Sequence, residues 1–462
     1  MMKKLVILTL ALIAAAGARA HKSLHELQQE FVDLKFGLFV HFGMGTYQGE
    51  DWADPEVPVT AFNPTHLDCG QWVDAARAAG MKFGCMSVKH HCGFAMWDTA
   101  TTDYSAASSP AGRDVVREFC DALRKHGMKV MFHFSILDLH EKIMPHHIKS
   151  YHTDFIKAQL RELLTNYGPV TALMIDGWDA PWSRLSYDEI PFAEIYDFCK
   201  SLQPECLVMD LNGAKYPAEA LFYSDLKTYE QGAGQKIQKD RSFLPSMACY
   251  PIQRTWFWKE DMPSTDTKSP AAMVDDNLRP MNDVCCTFIL NVAPNRDGLF
   301  DDNAVRALHE IGRLWHDDGR RREVAPTEAP ITATNLAKHK HTFGSWSWDM
   351  LIHDMATDDD FSTTWVSHSS VKTPWIQVEL GNTHPVDAVV ITDHADDAIT
   401  AYRIQCRHNG DWITVFDGDA PTGRRVKINR FAPVNADAVR LTVTAADGDV
   451  EIAELGVYSE RR

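Results

Sequence analysis

Between Lys35 and about Asp302 the chain alternates short apolar runs with amphipathic segments, the rhythm of strand–helix units around a parallel sheet. The apolar runs are "KFGLFVHFG", "KFGCMSVKHH", "MKVMFHFS", "TALMIDGW", "CLVMDLN", "ALFYSDLKTYE", "SMACYPIQRTWFW" and "CCTFILNVAP". Between several of them lie segments apolar at i, i+3 and i+4 that close on glycine: "HLDCGQWVDAARAAG", "GRDVVREFCDALRKHG" and "YHTDFIKAQLRELLTNYG". Eight such strands predict a (β/α)8 TIM-like barrel, an α/β fold. After "AVRALHEIGRLWHDDGRRR" the pattern changes. "EVAPTEAPIT" is Pro-rich and reads as a linker or edge strand, and beyond it the runs alternate apolar and polar: "WIQVEL", "DAVVITDH", "AYRIQCRH", "DWITVFDG", "AVRLTVTA" and "IAELGVYS". That alternation predicts an antiparallel β-sandwich. The predicted domains are a barrel over 21–325 and a sandwich over 331–462.

Residues 1–20, "MMKKLVILTLALIAAAGARA", have the charged start, apolar stretch and small-residue end of a signal peptide, which predicts a periplasmic or secreted protein beginning at His21. No other stretch is long and apolar enough to span a membrane. The formal charge is −17, and removing the leader leaves 43 basic against 63 acidic residues, or −20. That balance argues against nucleic acid and anionic lipid as partners and favours neutral sugars or peptides. The ten cysteines form no CxxC pair and lie mostly in apolar runs, so they read as buried thiols rather than a disulfide framework.

The polar residues fall where barrel enzymes build active sites. His41, His90, His91, His133, Asp176, Asp210 and Glu230 all stand at or just past the carboxyl end of an apolar run. A zinc site would need three ligands around an open position, and His90, His91, Cys92 and His133 carry suitable atoms. Neighbours on an extended strand point to opposite faces, however, and the chain has neither HxH at these positions nor HExxH, so no metal is expected there. The carboxylates make a better case. Asp176 and Glu230, on the fourth and sixth strands, converge over a barrel mouth and have the chemistry of a nucleophile and an acid/base acting on a glycosidic bond. Trp52, Trp97, Trp178, Trp182, Trp256 and Trp258 fall near the same rim, as expected of a site that stacks sugar rings, although a single Trp is more often core.

These residues resemble glycoside hydrolase family 29, the α-L-fucosidases. "GLFVHFG", "VKHHCGFAMWDTATTDYSA" with the "GRDVVREF" that follows it, "LMIDGW", "DLKTYE" and "FILNVAPNRDG" are similar to that family's motifs and occur in its order. The resemblance implies Asp176 as nucleophile and Glu230 as acid/base. It implies fucose hydroxyls held by His90, His91 and His41, with His133 standing where the family usually has tyrosine. Trp52, Trp178 and Trp256 are expected to contact the sugar. Departures are Cys92 in place of an acidic residue, Leu211 in place of an arginine, and Met247 at the position where one subgroup places its acid. Should Glu230 not be the acid, Glu219, Glu260 and Asp225 are the other candidates. "HDMATDDDFSTTWVS" and "WIQVELG" resemble discoidin (factor 5/8 type C) modules, which often hold a structural Ca2+ and bind galactosides; Asp358 and Asp360 are its candidate ligands. The expectation is a secreted, retaining exo-α-L-fucosidase acting on a fucosylated glycan with no cofactor in the chemistry. An α-L-galactosidase or other 6-deoxysugar hydrolase on the same scaffold, or a fucose-binding lectin that has lost turnover, stays open.

Overall fold

A computed structural model describes residues 21–180, 182–237, 244–348, 353–394, 398–421 and 423–461. The predicted signal peptide lies outside them. Eight parallel strands, β1 (Phe36–Val40), β2 (Phe83–Lys89), β3 (Lys129–Ser135), β4 (Ala172–Asp176), β5 (Leu207–Asp210), β6 (Lys227–Glu230), β7 (Ser246–Pro251) and β8 (Cys286–Asn291), form one sheet in the order β5-β4-β3-β2-β1-β8-β7-β6. Each lies within one of the eight apolar runs. The sheet is buried on both faces, which is why the runs are continuously apolar rather than alternating. Inward residues such as Phe39, Cys85, Met131, Met174, Met209 and Met247 fill the barrel, and Leu27 and Phe31 of the helix Leu24–Val32 close its lower end. Gly37 is required on β1, because a Cβ there would stand 2.3 Å from the Phe83 ring.

Helices Cys69–Ala78, Val115–Lys125, His152–Asn166, Phe192–Leu202 and Asp302–Leu314 pack outside the sheet. Asp68 caps the first by accepting the N–H groups of Gly70 and Gln71, and Asp114 caps the second through Arg117 N–H. After β5 and β6 the described residues form only 3₁₀ turns, Gly213–Lys215 and Gln231–Ala233.

The consequence is a seam between β5 and β6. "ALFYSDLKTYE" is not one strand: β6 begins at Lys227, and the preceding residues run antiparallel to β5 through a Met209–Ser224 bridge. Asp225 staples this seam. Fully buried, it accepts the Val208 N–H (2.9 Å) and the Tyr196 hydroxyl (2.7 Å), and it pairs with Lys200 at 2.6 Å.

The C-terminal domain is the antiparallel β-sandwich: β9 (Thr342–Gly344), β10 (Trp365–Val366), β11 (Trp375–Asp393), β12 (Ile399–His408), β13 (Asp411–Asp419), β14 (Val426–Ala446) and β15 (Glu451–Tyr458). Its order is β10-β15-β11-β14-β12-β13, with β9 on β11. "WIQVEL" and "DAVVITDH", separate runs in the sequence, belong to the single strand β11, whose ladder with β14 shifts register between Glu379 and His384, around Gly381 at φ +83°. Ala388, Val390, Val426 and Tyr458 of the sandwich pack into the apolar layer outside the barrel, so the two domains share a core. All ten cysteines are free, and all but Cys285 are buried.

Removing Asp225 leaves a seam without its staple and Lys200 without its partner. Asp225→Ala is expected to destabilise the protein by about 3–5 kcal/mol, the scale for breaking a buried ion pair, read as a lower denaturation midpoint in urea. A midpoint within experimental error of the parent would show that the seam holds without it.

Candidate active site

The carboxyl ends of the strands surround a pocket of about 280 Å³, small enough to suit one monosaccharide. Its walls include Phe39, His41, Asp51, Trp52, His90, His91, His133, Asp176, Trp182, Leu211, Glu230, Cys249 and Trp256. The structure therefore brings together both carboxylates, all four histidines, Trp52 and Trp256. Trp178 does not join them. It is fully buried, donates its indole N–H to Ile190 O at 2.9 Å and packs on Tyr187 and Phe192, so the expectation that it contacts the sugar fails on geometry. Trp97 and Trp258 are likewise buried, bonded to Glu162 and Asp301. Asp210 points to Tyr187 rather than the pocket.

Asp176 ends β4 and is 5% exposed. Its Oδ1 accepts the Gly177 N–H at 2.7 Å and the Asn212 amide at 2.9 Å, while Oδ2 faces His133 Nε2 at 3.2 Å and His91 Nε2 at 3.6 Å. Burial alone would raise its pKa, but the imidazoles of His91 and His133 and the Asn212 amide outweigh it and hold the carboxyl well below the usual range. Glu230 ends β6 and moves the other way. Burial and the nearby Asp176 charge push it up to about 7, with the Trp256 indole opposing. One pocket thus holds a carboxyl that is ionised at neutral pH beside one that titrates near it.

The hydrogen bonds behind the histidines set their tautomers. Ser135 donates its hydroxyl to Leu137 O at 2.7 Å, so its oxygen accepts from His91 Nδ1–H, also at 2.7 Å, and Nε2 of the neutral ring is left as an acceptor. Asn291 donates its amide to Trp256 O, so its carbonyl oxygen accepts from His41 Nδ1–H at 2.7 Å. Ser87 and His133 sit opposite each other on β2 and β3, which places Ser87 Oγ 3.0 Å from His133 Nδ1 and turns Nε2 toward Asp176. Burial pushes His41 down to about 3 and His91 to about 4, so both are neutral above pH 5. His90 is pushed well below its ordinary value by burial and by His91. "KHH" resolves as a strand ending in a turn: Gly93 at φ +86° returns its N–H to His90 O, and the turn lets both adjacent rings reach one pocket.

At the mouth, Trp52 and Trp182 meet edge to face at 5.1 Å and both lie against His91, at 4.7 and 4.6 Å. They are 48% and 42% exposed, a stacking surface rather than core. Asp51 was not singled out in the sequence. It lines the pocket and accepts the Phe257 N–H at 2.9 Å, and its only sequence signal is its position beside Trp52. Glu219, Glu260 and Asp225 are absent from the pocket walls; Asp225 is the seam staple. Leu211 lines the pocket, and Met247 is fully buried in the barrel interior.

A family model for alpha-L-fucosidase matches residues 52–320, and one for the F5/8 type C domain matches 332–455. Alpha-L-fucosidase 1 of Arabidopsis thaliana is 23% identical, the match covering 92% of this chain and 85% of that protein. The tissue alpha-L-fucosidase of Bos taurus is 24% identical over 63% of this chain and 67% of its own. A solved Ruminococcus gnavus family 29 fucosidase in complex with fucose is 20% identical with a TM-score of 0.51, covering 97% of this chain and 98% of that one. The alpha-L-fucosidase model spans more than half of the sequence and falls on the barrel that carries the pocket, and the chain accordingly belongs to the alpha-L-fucosidase family of glycoside hydrolases.

Proposed function

We propose that the chain is an exported, retaining exo-α-L-fucosidase that removes terminal fucose from a glycan by double displacement. The observation that carries this reading is the meeting of Asp176 and Glu230 in the walls of one small pocket, whose surroundings shift their pKa values in opposite directions. In the first step the Asp176 carboxylate attacks the anomeric carbon while Glu230 gives its proton to the leaving oxygen. In the second, Glu230, now a carboxylate, takes a proton from water as that water displaces Asp176 from the sugar. The Nε2 atoms of neutral His91 and His41 accept sugar hydroxyls, and His90, which has no side-chain hydrogen bond among the described residues, both donates and accepts. Trp52 and Trp182 cover the apolar face of the ring. The small pocket walled by tryptophan fits attack at a chain end rather than along a chain. Export rests on the leader sequence of residues 1–20. Among the described residues no helix is long and apolar enough to cross a membrane.

The proposal extends to a structural Ca2+ in the sandwich. Asp358 accepts from Asp360 N–H and the Thr363 hydroxyl, and beside it Glu454 is buried and pushed well above the ordinary carboxyl range by burial and by the Asp359 and Asp358 charges. Asp360 is exposed and taken by Ser362. Among the described residues no three His, Cys, Asp or Glu side chains gather as a metal site. Carbonyl oxygens, which Ca2+ accepts readily, would complete a set built on Asp358 and Glu454. The ion would supply positive charge to the half-buried Asp358 and the buried Glu454 and take no part in catalysis. Chelation is therefore expected to lower the melting temperature and added Ca2+ to restore it; an unchanged melting temperature rejects the site.

Three measurements test the chemistry. Asp176→Gly is expected to abolish turnover of an aryl α-L-fucoside, with azide restoring part of it as the β-fucosyl azide; recovery of the α-azide, or full activity, removes Asp176 from the role. Glu230→Ala is expected to slow hydrolysis of a fucosylated oligosaccharide by about 10²–10⁴-fold and to slow formation of the intermediate from a nitrophenyl fucoside far less, since a phenol leaves without a proton. Equal losses on both substrates would make Glu230 structural. Because Glu230 acts protonated and Asp176 ionised, kcat/KM should fall as pH rises through about 7 and hold down to about 4, where His91 protonates. The limb near 7 should vanish in Glu230→Ala.

A further inference from the structure

We infer that Asp359 of the sandwich is a positioning residue for Asp176, acting across the domain boundary through Lys215 and the loop that carries Asn212. The inference rests on Asp176 being the nucleophile. Four charges of alternating sign form a closed square at the boundary, two from each domain. Lys215 Nζ lies 2.7 Å from Asp359 Oδ2 and also pairs with Asp179, while Lys338 Nζ lies 2.8 Å from Asp359 Oδ2 and 3.9 Å from Asp179 Oδ1. The four side chains are only 12–31% exposed, so water screens them less than a surface pair. Phe361 flanks the square by packing on Tyr216 at 5.6 Å, and Ile331 bonds by backbone to the segment at Tyr223 and Leu221.

The two barrel members of this square stand on the two segments that bracket the nucleophile. Asp179 is three residues after Asp176, at φ +45°, and its N–H on Leu185 O at 2.7 Å closes the loop that presents Trp182 to the pocket. Lys215 ends the 3₁₀ turn that begins directly after Asn212, the residue whose amide reaches Asp176 Oδ1 at 2.9 Å. Among the described residues no α-helix lies between β5 and β6 to anchor that turn against the barrel. Asp359 supplies the anchor instead, and its own backbone N–H is held at 3.3 Å by the buried Glu454, itself fixed by Asn335. The catalytic unit in this chain therefore includes the sandwich.

The test is a double-mutant cycle in the full-length chain at fixed Ca2+, using Asp359→Asn, Asn212→Ala and the pair, with kcat, KM and melting temperature for each. Asp359→Asn keeps size and shape and removes only the charge. It is expected to lower kcat about 3- to 30-fold, the range for a weakened hydrogen bond to a charged group, while KM stays within about twofold. The double variant should be no slower than Asn212→Ala alone, because both changes act on one hydrogen bond. Should Asp359→Asn fail to fold, Lys338→Met loosens the same carboxylate and is held to the same criteria. A lower melting temperature with unchanged kcat, or losses that multiply in the pair, overturns the inference and makes the square a domain fastener alone. Azide rescue of Asp176→Gly is read separately, so a wrong nucleophile and a wrong anchor give different results.

Discussion

Asp176 is a carboxylate taken almost wholly out of water, and among the described residues no lysine or arginine pairs with it. Leaving such a charge unsatisfied costs several kcal/mol, enough to protonate it and end its use as a nucleophile. The fold meets the cost with donors: the Gly177 N–H, the Asn212 amide and His133 Nε2, each fixed by something behind it. Gly177 sits at φ +104° with no room for a side chain, since a Cβ would lie 2.8 Å from Leu137 N. His133 is aimed by Ser87 on the neighbouring strand. A cationic partner would have held the carboxylate more tightly, but it would also have quenched its attack on carbon. Dispersed donors keep it ionised and leave it nucleophilic.

The same charge does a second service. Burial raises the pKa of Glu230, and the Asp176 charge nearby adds to that rise, so the ionisation of one carboxyl favours the protonated form of the other. Burial keeps His41 and His91 neutral at working pH, and their back-side partners hold the proton on Nδ1, leaving Nε2 as the acceptor of each ring. A pocket lined by charged imidazolium would repel nothing in a neutral sugar, yet it would offer donors only. Neutral rings supply acceptors, which a sugar's many hydroxyl protons require.

Much of this was legible in the sequence because the barrel leaves clear marks. All eight strands fall within apolar runs, and at His41, His133, Asp176 and Glu230 the polar residue ending the run is delivered to the rim, whereas Asp210 is turned to Tyr187. The aromatic residues were less legible. Trp178 follows Asp176 by two positions and looked like a rim residue, but the left-handed Gly177 turns it into the core, and no composition signal reports a φ angle. Asp51 was silent because a loop carboxylate is defined by what it faces. "ALFYSDLKTYE" misled for a related reason: its first half is apolar because it packs at the seam and under the sandwich, not because it is strand.

That seam explains why the second domain matters to the first. A barrel strand is ordinarily braced by the helix that follows it, and among the described residues β5 is followed by a 3₁₀ turn instead of an α-helix. The gap is filled by two substitutes, the antiparallel staple at Asp225 within the barrel and the charge square with Asp359 from outside it. Both bear on the stretch from Val208 to Lys215, the stretch that delivers Asn212 to Asp176. Shared apolar packing through Val390, Val426 and Tyr458 makes the outside support rigid enough to serve. An appended domain joined by a free linker would leave the turn after β5 to fluctuate. Fused to the barrel's core, the sandwich can take over the work of the missing helix.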